Sequence, residues 1–272
     1  MSDAYSSSSL EGKIAVVTGA AQGIGEATAR LFVARGAAGV VLVDRNAEKG
    51  RAVAASLGDT ALFVETDLAD PAAVAKVMPA ADAKFGRVDI LANVAGLTDR
   101  GSIFDTDLAL FDRMFAINVR APFFLTQDAL AIMRREGNGG SIVNILSVNA
   151  YVGSPLLAPY SASKGALLTL TKNVANAVNQ LRIRCNGILL GWVDTPGEHV
   201  ILKKYHDAAD NWLETAEAAR PFGRLLKPED VARVIGFLAS DESFPMTGAT
   251  LDFEQSVFGG GGGGPSAYPG KK

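Results

Sequence analysis

Tyr160-Ser161-Ala162-Ser163-Lys164 puts a phenol and an ammonium four residues apart. On a helix, positions i and i+4 share one face, so both groups can reach a common ligand. Such a pair suits proton transfer. A free tyrosine has a pKa of ~10 and is a poor base at neutral pH, and bringing it near 7 takes about 4 kcal/mol of preferential phenolate stabilisation. A nearby ammonium and a second cation in a dry site can supply it. The spacing alone leaves open an exposed tyrosine beside a solvated lysine.

A second signature lies near the start of the chain, in Thr18-Gly19-Ala20-Ala21-Gln22-Gly23-Ile24-Gly25. It follows an apolar run and opens a helical pattern, the context a dinucleotide-binding loop requires. Gly19, Gly23 and Gly25 permit a tight turn and close approach of backbone to a pyrophosphate, with Gln22 and Ile24 in the same loop. The helix behind them offers N–H groups and the positive end of its dipole. Asp44 closes the next apolar run, 19 residues after Gly25, matching the ~20-residue offset of the acid that binds the adenosine ribose hydroxyls. A carboxylate there accepts from two hydroxyls and repels a 2′-phosphate, which favours NAD over NADP. Arg45 is adjacent and could accommodate the extra phosphate, whereas Gln22 is not basic and adds no such ligand.

Thr18–Gly25, Asn93-Val94-Ala95-Gly96, Asn118, Ser147 and Tyr160…Lys164 occur in an order and spacing that resembles the short-chain dehydrogenase/reductase family, with Ser147 standing 13 residues before Tyr160. The resemblance covers roughly residues 10–258. It implies a Rossmann-like, seven-stranded parallel sheet with helices on both faces. It implies Tyr160 as general acid/base, Ser147 as hydrogen-bond partner of the reacting oxygen, and Lys164 as ligand of the nicotinamide ribose that lowers the Tyr160 pKa. Asn118 would support the active-site helix and a water in the proton relay. Asp67 and Leu68 would meet the adenine, Asn93, Ala95 and Gly96 would line the cofactor cleft, and Val193 and Thr195 would contact the nicotinamide end. Three positions depart from the family pattern: Val94 inside Asn93–Gly96, Leu190 before Gly191, and Glu254-Gln255-Ser256 near the C-terminus. The last puts the family's usual tetramer in question, leaving a homo-oligomer, dimer or tetramer, as the expectation.

The elements that must position these groups are legible as alternation. Short apolar runs at Lys13–Thr18, Gly39–Val43, Ala61–Val64, Val88–Ala92, Ser141–Leu146, Ile183–Leu189 and Ala249–Phe253 mostly lack polar alternation, as suits strands covered on both faces. Helical patterns cover Gly25–Arg35, Ala47–Leu57, Pro71–Phe85, Asp107–Arg135, Ala158–Gln180 and Pro228–Ala239. Strands alternating with helices predict an α/β, doubly wound sheet. With no internal repeat or interior linker, residues 10–258 are expected to form one catalytic domain behind a flexible segment, 1–9. Residues 194–222 read as a substrate lid. Residues 259–272 begin with six glycines and read as a flexible tail.

Composition narrows the function. Apolar residues make up 48% and charged residues 20%, which excludes a disordered or coiled-coil chain. A net charge of -3 provides no basic excess for nucleic acid. Cys185 is the single cysteine, which excludes an intrachain disulfide and a cysteine metal cluster. The N-terminus lacks a signal-peptide pattern and no run approaches the ~20 apolar residues of a membrane span. A cytoplasmic setting without a membrane partner is the expectation. No metal is expected, and His199 and His206 read as part of a solvated helix face.

The substrate would be a small secondary alcohol or its ketone. Leu97, Ser147, Asn149, Tyr151, Leu190, Trp192, Glu198, His199 and Trp212 are the candidate pocket residues. Asn149 and the polar lid favour a sugar, polyol or other hydroxylated molecule, whereas Leu190 and Trp192 lean towards a hydrophobic ring. Two alternatives stay open: an NADP-linked 3-oxoacyl-thioester (acyl-carrier) reductase with the same residues, and a dinucleotide-sensing regulator that has lost catalysis.

Overall fold

The structure is a computed structural model and describes residues 8–257. The first half of the N-terminal serine run and the whole glycine run at 259–264 lie outside the described residues.

Seven strands form one parallel sheet: β1 (Ile14–Thr18), β2 (Gly39–Asp44), β3 (Ala61–Glu65), β4 (Ile90–Asn93), β5 (Gly140–Ser147), β6 (Ile183–Leu190) and β7 (Thr250–Phe253). Their order is β3-β2-β1-β4-β5-β6-β7, and every neighbouring pair runs parallel. Each predicted strand is present, with ends shifted by at most two residues. All five residues of β1 and all eight of β6 are buried. Successive β1 side chains serve opposite layers. Ala15 and Val17 pack with Phe32 and Ile235, while Val16 packs with Met78, Leu125 and Met133 on the other face. This two-sided burial is why the strands read as unbroken apolar runs.

The helices are α1 (Gly23–Ala34), α2 (Ala47–Leu57), α3 (Pro71–Val74), α4 (Val77–Phe85), α5 (Leu108–Phe115), α6 (Ala121–Glu136), α7 (Asn149–Val152), α8 (Ala158–Val178), α9 (Pro196–His206), α10 (Trp212–Ala218) and α11 (Pro228–Ala239). Two predicted helices are interrupted, and proline accounts for both. Pro79 lies in the first turn of α4, where its ring opposes the carbonyl of Ala75 and separates α3 from α4. Pro122 is the second residue of α6 and cannot donate to the carbonyl of Asn118. A π-helical segment, Ala116–Arg120, relieves that conflict between α5 and α6. Asn118 therefore sits on the irregular turn of an otherwise continuous helix.

The chain order reverses between β1 and β4, so connections leave to opposite sides there and open a crevice at the carboxyl ends of these strands. Thr18 ties the two ends together: its Oγ1 accepts from Val94 N at 2.9 Å and Ala95 N at 3.0 Å. The stretch 194–222, expected as a lid, carries α9 and α10 with a small core of Leu202, Trp212 and Leu225 against Trp192. Thr195 caps α9 by accepting from Glu198 N, and Pro196 occupies the first turn.

Candidate active site

A cavity of about 530 Å³ fills the crevice. Its floor is the glycine loop, with Gly19, Gln22, Gly23, Ile24 and Gly25. Asp44 and Arg45 close one end, beside Asp67 and Leu68. Ala95, Gly96 and Leu97 form the wall after β4, and Thr195 with Val200 and Ile201 forms the wall from α9. Twelve of the expected cofactor-contact positions thus converge on one space. Asn93 and Val193 stand behind it. Asn93 is buried and donates to Asn144 Oδ1 at 2.9 Å on the neighbouring strand, while Val193 is buried and bridges to Leu226.

The cradle fits a dinucleotide. A Cβ built on Gly25 would lie 2.2 Å from the Gly19 carbonyl oxygen, so only glycine lets helix and loop approach this closely. Gln22 at the N-cap of α1 makes no side-chain cap; its Oε1 accepts from Lys49 Nζ at 2.9 Å instead. The first-turn N–H groups thus keep their donors for an anion. Asp44 is held by two backbone donors, Ala21 N on Oδ2 at 3.1 Å and Asn46 N on Oδ1 at 2.9 Å. Each oxygen keeps a lone pair for a ribose hydroxyl. Asp67 accepts from Ala69 N at 2.9 Å and faces Arg113 at 3.7 Å.

Beyond the cavity, β5 ends at Ser147 and α8 presents Tyr160 and Lys164. A buried polar ladder fixes α8 to the sheet: Asn93 donates to Asn144, and Asn144 donates to Thr171 Oγ1 on α8 at 2.9 Å. Ser147 Oγ accepts from Asn149 N at 3.2 Å and from Asn149 Nδ2 at 3.5 Å, so its own proton stays available. Asn149, expected at the substrate, is thus the residue that orients Ser147. Asn118 is fully buried. Its Oδ1 accepts from Leu97 N at 2.8 Å, and its Nδ2 donates to Leu97 O and to Ser163 Oγ on α8, both at 3.0 Å. One side chain therefore braces the cavity wall against the helix carrying Tyr160.

Lys164 is 2% exposed and donates to the Ile145 carbonyl at 2.7 Å. Burial lowers its ammonium to about 8. Burial raises the Tyr160 hydroxyl above its ordinary value, Ser147 pulls it down through a hydrogen bond, Glu198 raises it and Arg100 lowers it. Lys164 lies 5.8 Å from the ring centroid with its nearest donor contact spent on Ile145.

The remaining pocket candidates divide. Leu97 lines the cavity. Leu190 is buried in the core beside β5, not in the cleft. Tyr151 points to solvent at 51% exposure. Trp192 stacks on Trp212 and donates from Nε1 to Glu198 at 3.0 Å. His199 pairs with Asp194 at 2.7 Å and packs edge-on against Trp212, and His206 accepts from Arg100 at 3.3 Å. The two histidines are therefore engaged with side chains of the protein and are not just part of a solvated face. No cluster of metal-ligating residues occurs among the described residues. No helix among them is long and apolar enough to cross a membrane. Cys185 is buried, which pushes its thiol up to about 12 and leaves it inert.

Arg100 was not singled out from the sequence. Its signal is weak there, one more charge in the Asp99-Arg100 pair after Gly96. Its partner Glu198 is 98 residues away, and no local pattern connects them.

A family profile described as enoyl-(acyl carrier protein) reductase matches residues 19–255. The NADP-dependent (R)-specific alcohol dehydrogenase of Lentilactobacillus kefiri is 35% identical over 88% of this chain and 94% of its own length. The L-rhamnose 1-dehydrogenase (NAD(P)(+)) of Sphingomonas sp. (strain SKA58) is 36% identical over 89% of this chain and 94% of its own. The crystal structure of 3-ketoacyl-(acyl-carrier-protein) reductase from Brucella melitensis complexed with NADH superposes with a TM-score of 0.81 at 35% identity, covering 90% of this chain and 97% of that one. The chain belongs to the short-chain dehydrogenase/reductase family of oxidoreductases, enzymes that act on CH–OH groups with a nicotinamide dinucleotide.

Proposed function

We propose that the protein is an NAD-dependent dehydrogenase that interconverts a secondary alcohol and its ketone in a hydroxylated small molecule, a sugar or polyol. The observation that carries this reading is the convergence of Ser147, Tyr160 and Lys164 beyond a cradle closed at one end by Asp44. The bound dinucleotide would accept or donate the hydride. The chain does the rest. Ser147, held as an acceptor by Asn149, donates to the reacting oxygen. Tyr160 takes the hydroxyl proton in oxidation and returns it in reduction. Lys164 would turn its ammonium from the Ile145 carbonyl towards the ribose hydroxyls and balance the developing phenolate. Asn118 keeps Leu97 and Ser163 in place around them.

Asp44 supports NAD over NADP, because a 2′-phosphate would meet a carboxylate already fixed by two backbone donors. The NADP-dependent relative makes this the point to test first. A homo-oligomer remains part of the proposal, supported by exposed apolar side chains on α5 and α6, among them Leu108, Phe111, Phe123 and Phe124.

The test is NADH absorbance across a panel of sugars, polyols, cyclic alcohols and hydroxy acids, with NAD and NADP compared by kcat/KM. Turnover of a hydroxylated member with an NAD preference is expected. A clear NADP preference contradicts the cofactor reading, and turnover confined to 3-oxoacyl thioesters contradicts the substrate reading. Tight NADH binding with no turnover of any member would favour the sensing regulator.

A further inference from the structure

The loop after β4 and the first turn of α9 meet through one half-hidden ion pair. Arg100 Nη2 lies 3.1 Å from Glu198 Oε1, and the two side chains are only 15% and 14% exposed. Both charges lie near enough to Tyr160 to bias its proton in opposite directions. The guanidinium is committed on all three nitrogens: Nη1 donates to Thr98 O at 2.8 Å, Nε to His206 at 3.3 Å and Nη2 to Glu198. Glu198 Oε1 is also doubly committed, to Arg100 and to the Trp192 indole. Glu198 Oε2 has no hydrogen-bond partner among the described residues.

The arrangement is an acceptor aimed by its neighbours, with the local charge balanced. A balanced pair does not recruit an anion, and an arginine with every nitrogen engaged is poorly disposed to grip a carboxylate. A fixed carboxylate oxygen with free lone pairs is suited to a hydroxyl donor, and hydrogen bonds to charged groups are the stronger ones. A hydroxyl next to the reacting carbon is the substrate group such an oxygen would accept from.

We propose that Glu198 is a specificity-determining residue that accepts a hydrogen bond from a hydroxyl neighbouring the reacting carbon, that Arg100 is the positioning residue holding it, and that the substrate class is therefore an uncharged vicinal polyol. The inference rests on the dehydrogenase reading above and deepens it.

The probes are cis-cyclohexane-1,2-diol, cyclohexanol and cis-4-hydroxycyclohexanecarboxylate, used on the full chain with NAD. Two readouts keep this inference separable from the dehydrogenase reading. One is the ratio of kcat/KM for diol and mono-ol. The other is binding of the same probes to the Tyr160→Phe chain loaded with NADH, followed by the combined fluorescence of the stacked Trp192 and Trp212, which needs no turnover. With Glu198 intact, the diol is expected to be favoured by about tenfold or more in both readouts, the size of one charge-assisted hydrogen bond. Glu198→Gln, which keeps shape and the Trp192 contact, should bring both ratios towards one. Arg100→Met should raise KM for the diol more than it lowers kcat, and Arg100→Lys should recover part of the loss.

The pH profile of kcat/KM adds a readout that a purely structural role would not move. The charged and titratable groups set against Tyr160 are Lys164 from its own helix, Arg100 from the β4 loop and Glu198 from α9, with the Ser147 hydroxyl from β5. Arg100→Met should shift the Tyr160 limb upwards and Glu198→Gln downwards. An equal preference for diol and mono-ol, or a diol preference that survives Glu198→Gln, overturns the inference. So does a preference for the carboxylate probe that Arg100→Met abolishes. The dehydrogenase reading fails separately, if Tyr160→Phe and the parent oxidise the probes alike.

Discussion

Lys164 reaches from α8 to the main-chain carbonyl of Ile145 on β5 and donates to it at 2.7 Å, with the ammonium almost wholly out of water. Burial lowers this group from 10.5 to about 8. Between those values the folded chain binds fewer protons than the unfolded chain, so stability linked to Lys164 rises with pH across that window. Below it, the buried charge costs the fold about 3 kcal/mol. Lys164→Met should remove catalysis and raise the unfolding temperature at about pH 7 by about 5 °C, after about 1 kcal/mol is lost at Ile145. The gap should narrow towards about pH 10. Calorimetry at both pH values checks this, and an unchanged gap would show that the ammonium is not the source.

In the proposed reading, Asp44 would face the 2′ position of the adenosine ribose. Asp44→Ala removes the repulsion and the ribose acceptors together, while Arg45 and Lys49 remain nearby. NADPH binding should tighten relative to NADH by about tenfold or more, about 1.4 kcal/mol or greater. Competitive titration of the two reduced dinucleotides reads this directly. No change in their ratio would remove Asp44 from the cofactor choice.

Gly25 and Gly165 make a matched pair. A methyl at Gly25 would collide with the Gly19 carbonyl, whereas nothing lies within 4 Å of a Cβ on Gly165. Gly25→Ala should therefore weaken NADH binding at least about tenfold and destabilise the chain by about 1–3 kcal/mol, as expected for forced overpacking. Gly165→Ala, inside α8, should stabilise by about 0.5–1 kcal/mol. Urea unfolding with NADH titration distinguishes the two. Matching effects would mean the loop tolerates a side chain at Gly25.

Asn118 satisfies both backbone groups of Leu97 and reaches Ser163. Asn118→Leu would leave these polar groups without their partner, at about 1–3 kcal/mol for each one that finds no water. A loss of about 2–4 kcal/mol in urea unfolding is expected, with kcat reduced more than NADH affinity. Parent-like stability would mean that water replaces the asparagine without cost.

Much of this was readable in the chain because parallel strands buried on both faces leave continuous apolar runs. The glycine loop, Asp44 and the Tyr160–Lys164 spacing carry local constraints, and local constraints show in sequence. Pro79 and Pro122 were also visible, yet their consequences depend on which carbonyl each ring opposes, so both helices were read as unbroken. Leu190 illustrates another limit. Its apolar character was plain, but whether it faced cleft or core depended on strand register, and β6 turns it inward. Arg100 was hardest to see, because its role comes from a contact across 98 residues of sequence with Glu198. Asn149 was read as a pocket residue, and only the backbone turn after β5 directs it at Ser147 instead.

The central claim is that Tyr160 moves the proton while the rest of the cleft holds cofactor and substrate. Tyr160→Phe keeps the ring and removes only the hydroxyl. Single-turnover hydride transfer should fall by at least about 10²-fold, the usual contribution of a positioned acid/base, while the Kd for NADH stays within about twofold of the parent. Hydride transfer at a parent-like rate in this variant would contradict the account.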